Sequence, residues 1–334
     1  MNLYVHFPFC RRKCTYCALH SRAGSSEERR ANYVGDLARQ ATGLRGSLTT
    51  IYFGGGSPAL CDLRPLFTLL KPLMAANCEF TVELHPLDVT RDLLATLRSG
   101  GVNRISMGVQ SLDDATLAHM GRGYTADEAE SAFALVKEYF DNAGIDLIVG
   151  YPVSSGNARL ERLAKWGLRH CSVYSLILEA HSILAKMVGK QGLALPSDDA
   201  VLDRIRDVSR FLKSIGLRRY EISNYAAPGF ECRHNMSVWR GEDYIGLGEG
   251  AHGRIGLVRT ESGEAETVSP ETDEKERHLF RLRTIEGLNA SGHPEWIKSL
   301  EKFADEGLLA KDGEIYRLTE RGSEVCDSML AELV

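Results

Sequence analysis

The order of elements in this chain predicts an α/β fold, a partial (β/α)6 TIM-like barrel followed by a small C-terminal winged-helix-like α+β unit. Three observations predict it. Short β-rich runs alternate six times with helix-length amphipathic segments between residue 2 and about residue 216. Glycines punctuate the joints between them. The residues with unusual chemistry fall at the C-terminal ends of the strands, where parallel α/β folds place their ligands.

The strand candidates are 3–7, 49–53, 80–84, 104–109, 145–149 and 172–178, and helical stretches lie near 27–44, 62–75, 91–99, 125–142, 157–168 and 198–215. Gly54-Gly55-Gly56 and Gly150 follow strands, while Gly100-Gly101 and Gly144 precede them. Cys10 stands after the first strand, Ser57 closes the glycine run after the second, Glu83 is late in the third, Gln110 follows the fourth and Asp146 lies in the fifth. Residues 1–216 form the predicted barrel. Residues 217–272, rich in Tyr, Asn, His and Gly at first, read as an irregular β-rich extension over the barrel mouth, with 259–272 as a linker or exposed loop. Residues 273–334 read as the winged-helix-like domain, with Asp312-Gly313 at a hairpin turn.

The 334 residues are 43% hydrophobic and 25% charged, ordinary for a globular protein of one large and one smaller domain. A net charge of −5 without a basic block gives no reason to expect a nucleic-acid partner. An apolar strand pattern from Leu3 runs straight into Cys10, so no signal peptide is expected, and no apolar run has the length of a membrane span. Eight cysteines, clustered at the start and scattered afterwards, do not resemble a secreted disulfide framework; reduced thiols in a cytoplasmic protein are expected.

Cys10, Cys14 and Cys17 stand in Cys-x3-Cys-x2-Cys spacing, which lets one loop wrap three corners of a cubane cluster. A [4Fe–4S] cluster ordinarily takes four thiolates, so three leave one iron open. The amino and carboxylate groups of S-adenosylmethionine (SAM) can occupy that iron, and its reductive cleavage there yields a deoxyadenosyl radical. The alternative is a structural zinc site completed by His20 or a distant residue, an arrangement usual in small loop-rich modules rather than at the first strand end of a long β/α array. Cys61, Cys78, Cys171, Cys232 and Cys326 are isolated and expected to pack as small apolar groups. Met107 and Met120 read as core, and Tyr225 and Tyr244 as residues lining the mouth.

The segments YVHFPFCRRKCTYC, IYFGGGSP, ELHP, RISMGVQS, MGR, DLIVGYP, YEISNYAAPGFECRHN and YIGLGEGAHG together resemble the radical SAM family that contains oxygen-independent coproporphyrinogen III oxidase and the heme chaperone HemW. The resemblance implies SAM contacts at Tyr4, Tyr16, Gly55, Gly56, Ser57, Glu83, Gln110, Arg122, Asp146, Ser175 and His252. Within the family the chain resembles the HemW side. Leu19 stands where the oxidases commonly carry a fourth cysteine, their N-terminal extension is absent before Tyr4, and His234-Asn235 resembles HemW's His-Asn-x-x-Tyr motif, with Val238 in place of the tyrosine. The resemblance therefore implies a heme carrier with His234 as candidate heme ligand, together with a heme-accepting apoprotein and an electron donor. The alternatives it leaves open are oxidative decarboxylation of coproporphyrinogen III and another radical reaction on heme.

Overall fold

The computed structural model describes residues 1–153 and 159–333. The strands are β1 Asn2–Phe7, β2 Phe9–Cys10, β3 Arg22–Ala23, β4 Leu48–Gly55, β5 Met74–Leu84, β6 Arg104–Gln110, β7 Ala143–Val149, β8 His170–Ser175, β9 Arg218–Glu221, β10 Asn224–Ala226, β11 Tyr244–Leu247, β12 His252–Ile255, β13 Val258–Glu261, β14 Glu264–Thr267, β15 Leu288–Asn289, β16 Leu309–Asp312 and β17 Ile315–Leu318. The helices are α1 Glu27–Ala41, α2 Arg64–Leu70, α3 Arg91–Ser99, α4 Asp114–Met120, α5 Ala126–Tyr139, α6 Ile183–Gln191, α7 Asp198–Ser214, α8 Arg233–Trp239, α9 Pro270–Leu279, α10 Pro294–Asp305, α11 Glu320–Ser323 and α12 Cys326–Leu333.

One sheet runs in the order β14-β13-β12-β11-β1-β4-β5-β6-β7-β8-β10-β9. The six predicted strands β1, β4, β5, β6, β7 and β8 lie side by side and parallel, and β11 adds a seventh parallel strand beside β1. Antiparallel additions extend both ends, so the barrel stays open between β14 and β9.

Side chains alternate across a strand, and here the alternation sorts the chemistry. Leu3, Val5 and Phe7 on β1, Ile51 and Phe53 on β4, Phe80, Val82 and Leu84 on β5, and Ile105, Met107 and Val109 on β6 join one buried core with Leu37 of α1, Phe67 of α2, Leu94 of α3 and Phe133 of α5. The residues between them, Tyr4, His6, Tyr52, Glu83, Gln110 and Asp146, turn the other way and line cavities. A TIM barrel usually fills its interior with branched aliphatic residues. A polar interior means space kept for a ligand.

The second core, under β15 to β17 and α9 to α12, is built from Leu282, Leu288, Trp296, Leu300, Phe303, Tyr316 and Met329. The strands β15-β17-β16 form a small antiparallel sheet, with the β16–β17 turn at Gly313-Glu314.

Three expectations need correction. Residues 259–272 are not a linker. Arg259↔Glu266 and Thr260↔Ala265 pair in register as the hairpin β13–β14, turned by Ser262 and Gly263 at φ 52° and 88°; two positive φ values suit the two-residue hairpin turn. The helix expected over 62–75 stops at Leu70. Lys71–Leu73 form a single 3-10 turn with Pro72 inside it, because proline cannot donate the helical hydrogen bond. The stretch 157–168 is a 3-10 turn over Leu160–Lys165, with 157–158 outside the described residues. Among the described residues no helix is long and apolar enough to cross a membrane.

Asp273 on α9 ties the added strands to the helical unit. Its carboxylate accepts from Arg254 on β12 (2.6 Å), Arg259 on β13 (2.7 Å) and Arg277 on its own helix (2.7 Å). Burial works to raise this carboxyl, but the three hydrogen bonds outweigh it and hold it well below the ordinary range. A depressed carboxyl stabilises the fold above its unfolded value near 3.9, and that stability is lost as pH falls toward the folded value. Asp273→Asn, which leaves three arginines facing a neutral amide, is expected to cost about 3 kcal/mol, read by urea denaturation at pH 7. The deficit should shrink below about pH 4, where the carboxyl of the unfolded chain takes up a proton while the native one is still ionised, and should close only as pH nears the depressed native value.

Candidate functional site

The three cysteines belong to a loop that the chain closes on itself. β2 pairs with β3, Phe9↔Arg22 and Cys10↔Ala23, so residues 11–21 form a closed excursion. Lys13 reaches across it, donating Nζ to the Leu19 carbonyl (2.9 Å) and the Ser21 hydroxyl (2.7 Å). Thr15 N–H donates to Met120 O at the end of α4 (3.0 Å), and Leu184 N–H of α6 donates to Thr15 O (2.7 Å). Cys10, Cys14 and Cys17 are all partly buried and line one cavity of about 490 Å³, a volume suited to a small-molecule site. Burial pushes the Cys10 thiol up to about 11, and the neighbouring Cys17 and Cys14 add to that, so the three thiols sense one another. Among the described residues no three His, Cys, Asp or Glu side chains close tightly enough to hold a single metal ion. His20, the residue that would complete a zinc set, bonds Glu249 instead (3.2 Å) and lines a different cavity. The three thiols around one cavity fit a cluster.

Arg122 backs this loop. It is buried, and its guanidinium donates to Cys14 Sγ (3.4 Å), Gly108 O (2.6 Å) and Tyr124 Oη (2.9 Å). The guanidinium sets a fixed cation beside the Cys14 sulfur.

The glycine turn after β4 lies against the same loop. Gly56 N–H donates to Phe7 O (2.7 Å) and Ser57 N–H to Phe9 O (2.6 Å). A Cβ on Gly56 would meet Phe9 O at 2.4 Å, and one on Gly55, at φ +104°, would meet the His6 ring at 2.5 Å. These glycines let two stretches of backbone touch beneath the cysteines. Ser57 donates its hydroxyl to Asp88, which Arg11 also pairs with, so that hydroxyl is committed to the scaffold.

Glu83 and Asp146 place two carboxyl groups in the cavity wall. Burial, then Asp146, pushes Glu83 up to about 7, opposed by hydrogen bonds from Tyr52 Oη to Oε1 (2.8 Å) and from Gly55 N–H to Oε2 (3.0 Å). Asp146 accepts from Ser106 (3.0 Å) and is also raised by burial. Gln110 sits at a bulge of β6 with φ +68°, a conformation few non-glycine residues adopt and one that gathers at functional sites. Tyr16, Gly55, Gly56, Ser57, Glu83, Gln110, Arg122, Asp146 and Ser175 all line the cysteine cavity.

Tyr4 and His252 do not join them. They line a second cavity of about 620 Å³ with His6, His20, His234, Asn235, Val238 and Tyr244. The two cavities share Ala18, Leu19 and Tyr52 as a common wall. In the second one, hydrogen bonds set the tautomers. His6 Nε2 must donate to the His20 carbonyl (2.8 Å), so its Nδ1 accepts from Tyr4 Oη (3.0 Å). Asn2 Nδ2 donates to Asp243 O (3.2 Å), Thr50 therefore donates to Asn2 Oδ1 (2.9 Å), and the Thr50 oxygen accepts from His234 Nδ1–H (2.8 Å). The proton of His234 is thus on Nδ1, and Nε2, which takes no hydrogen bond among the described residues, keeps its lone pair. Burial and Arg104 hold the imidazole neutral, its pKa pushed down to about 3. Glu79 fixes the start of α8 by accepting from Arg233 N–H and His234 N–H, both at 3.0 Å.

The sequence reading missed Tyr52, His85 and Asp88 in the first cavity and His6 in the second. Three of the four lie inside a motif that points to a neighbour: Tyr52 precedes the glycines, His85 lies two residues after Glu83, and His6 stands between Tyr4 and Cys10; Asp88 lies two residues beyond the ELHP motif, with no local signal of its own.

Residues 4–166 match the Radical SAM superfamily. The chain is 30% identical to the heme chaperone HemW of Escherichia coli over 99% of its own length and 97% of the relative. It is 34% identical to the heme chaperone HemW of Lactococcus lactis over 100% and 97%. It is 30% identical to mouse radical S-adenosyl methionine domain-containing protein 1, mitochondrial, over 99% and 87%. Among solved structures, coproporphyrinogen III oxidase (HemN) from Escherichia coli superposes with a TM-score of 0.84, covering 99% of this chain and 89% of that one at 20% identity, a likeness of fold.

Proposed function

We propose, from the premise that this chain belongs to the HemW family of the radical SAM superfamily, that it binds heme in the second cavity and passes it to a heme-accepting apoprotein. Membership in that superfamily implies a [4Fe–4S] cluster and SAM, and the cysteine cavity is where this reading puts both. When bound, the cluster supplies an electron at an iron that the three thiolates leave open to SAM. The chain's own residues do the rest. Cys10, Cys14 and Cys17 would ligate, Arg122 would offset thiolate charge, and Glu83 with Asp146 would face the cationic sulfonium and accept hydrogen bonds from the neutral SAM amino group. Leu19, beyond the third cysteine, adds no fourth thiol. The electron comes from an external donor.

The observation that carries the heme reading is the free Nε2 of a neutral histidine in a cavity of its own, separated from the cysteines by Ala18, Leu19 and Tyr52. A neutral imidazole nitrogen with a lone pair is an axial ligand for heme iron. Its Nδ1–H bond to Thr50 fixes the ring as outer partners fix metal-bound histidines. Hemin added to the cluster-loaded protein is expected to give a shifted Soret band, and His234→Ala should weaken binding by about tenfold or more, since losing the ligand costs at least as much as losing an outer partner of one. A chain that takes up no hemin rejects the reading.

SAM binding should depend on pH with a defined sign. In the SAM-free protein Glu83 titrates at about 7, and a cationic ligand prefers its ionised form. Affinity for SAM is therefore expected to rise roughly tenfold from pH 6 to pH 8 as the carboxylate forms. Equilibrium dialysis with labelled SAM reads this, and Glu83→Gln should weaken binding and flatten the profile.

A further inference from the structure

The wall between the cavities contains one side chain that touches the working group on each side. Tyr52 donates its hydroxyl to Glu83 Oε1 in the cysteine cavity (2.8 Å). Its ring lies 5.2 Å from the His234 ring at 35° and 6.0 Å from the Tyr4 ring, and Tyr4 in turn stacks on His234 at 6.3 Å. The strand explains the arrangement. Thr50, Tyr52 and Gly54 are alternate residues of β4, so they share the interior face. Thr50 fixes His234, Tyr52 reaches Glu83, and Gly54 leaves room for both, since a Cβ there would stand 3.0 Å from Glu83 Oε1 and from the Tyr52 ring. The partner strand β5 repeats the pattern, with Glu79 holding the backbone of His234 and Glu83 holding Tyr52. The two sites thus rest on one pair of strands, and the Tyr52 phenol is a direct side-chain bridge between them.

We propose that Tyr52 is a positioning residue that couples the two cavities, so that a cationic ligand engaging Glu83 fixes the Tyr52 ring against His234 and tightens binding of a planar metalloporphyrin. The inference rests on the heme reading above and deepens it. A cation beside Glu83 keeps the carboxylate ionised, and a hydroxyl bonds an ionised carboxylate more strongly than a neutral one. The phenol is then held in one orientation, and with it the aromatic face that a porphyrin meets next to the His234 nitrogen. Coupling is reciprocal, so bound porphyrin must raise SAM affinity by the same factor.

The test uses the full chain with its cluster reconstituted. Hemin affinity is read by Soret titration with and without saturating SAM, and SAM affinity by dialysis with and without hemin. In the native chain each ligand is expected to tighten the other by about fivefold or more. In Tyr52→Phe, which keeps the ring and removes the hydroxyl, that ratio should fall to near one. The ratio is taken within each variant, so a general loss of packing that weakens one ligand does not imitate the result. Iron content checks that the variant holds its cluster, and Glu83→Gln provides a second route to the same loss of coupling. Native protein that binds both ligands with no mutual effect overturns the inference and leaves the heme reading standing, as does undiminished coupling in Tyr52→Phe. A chain that takes no hemin overturns both.

Discussion

A chain carrying Gly56→Ala is expected to fold its outer core yet fail to retain iron after anaerobic reconstitution. The added methyl would lie 2.4 Å from Phe9 O and 2.8 Å from Phe7 O, both backbone atoms that cannot swing aside. Those carbonyls accept the Gly56 and Ser57 N–H groups, Phe7 O at the end of β1 and Phe9 O in β2, the residue that leads directly into Cys10. Relief of the clash must therefore move the first cysteine relative to the other two, which are anchored separately through Thr15 to α4 and α6. A cubane needs all its thiolates at fixed corners. The aliphatic core lies on the opposite face of the same strands, so far-UV circular dichroism should change little while the iron content and the visible cluster absorbance vanish. Gly46→Ala is the control, since a Cβ at Gly46 meets only the end of Met1 at 3.7 Å; its cost is the local strain of φ +83°.

Cys14→Ala is expected to reduce iron from about four atoms per chain to a trace, because two thiolates cannot hold a cluster. Cys14 carries a second consequence that the other two cysteines lack. Arg122, buried against it, would face an empty position with its Nη1 unpaired. A buried charge robbed of a partner is destabilising, so this variant should also melt lower than Cys17→Ala by a measurable margin. The distant cysteines supply no substitute. Cys61, Cys78, Cys171, Cys232 and Cys326 are all buried elsewhere, and Cys61→Ala should keep its full iron content. Iron and sulfide analysis together with thermal melts of the three proteins separates the two effects.

Much of this was legible in the chain. The six parallel strands are readable because each is a run of apolar residues alternating with polar ones, and the parity of that alternation already divides Leu3, Val5 and Phe7 from Tyr4 and His6. The cysteine spacing and the glycine run are local, and the cavity collects them where strand ends must meet. The distribution of residues between two cavities was not legible. It depends on β11 pairing beside β1, Leu3↔Ile245 and Tyr4↔Gly246, a contact across some 240 residues that no local pattern encodes. That pairing, followed by the reversal into β12, carries Tyr4 and His252 to the histidine side. The hairpin β13–β14 looks like a linker in the sequence because every residue of β14 is exposed, so it shows no apolar alternation; only Ser262-Gly263 marks the turn. The helices α4 and α6, 7 and 9 residues long, are too short to show a clear period.

The central claim is that cluster-bound SAM and heme occupy separate, adjoining spaces in one chain. A competition measurement tests it most directly: labelled SAM is bound to the cluster-loaded protein, hemin is added to saturation, and the SAM that stays bound is counted. The two-cavity account predicts one SAM and one hemin retained together on each chain. Stoichiometric displacement of SAM by hemin would place both ligands in the same space and contradict it.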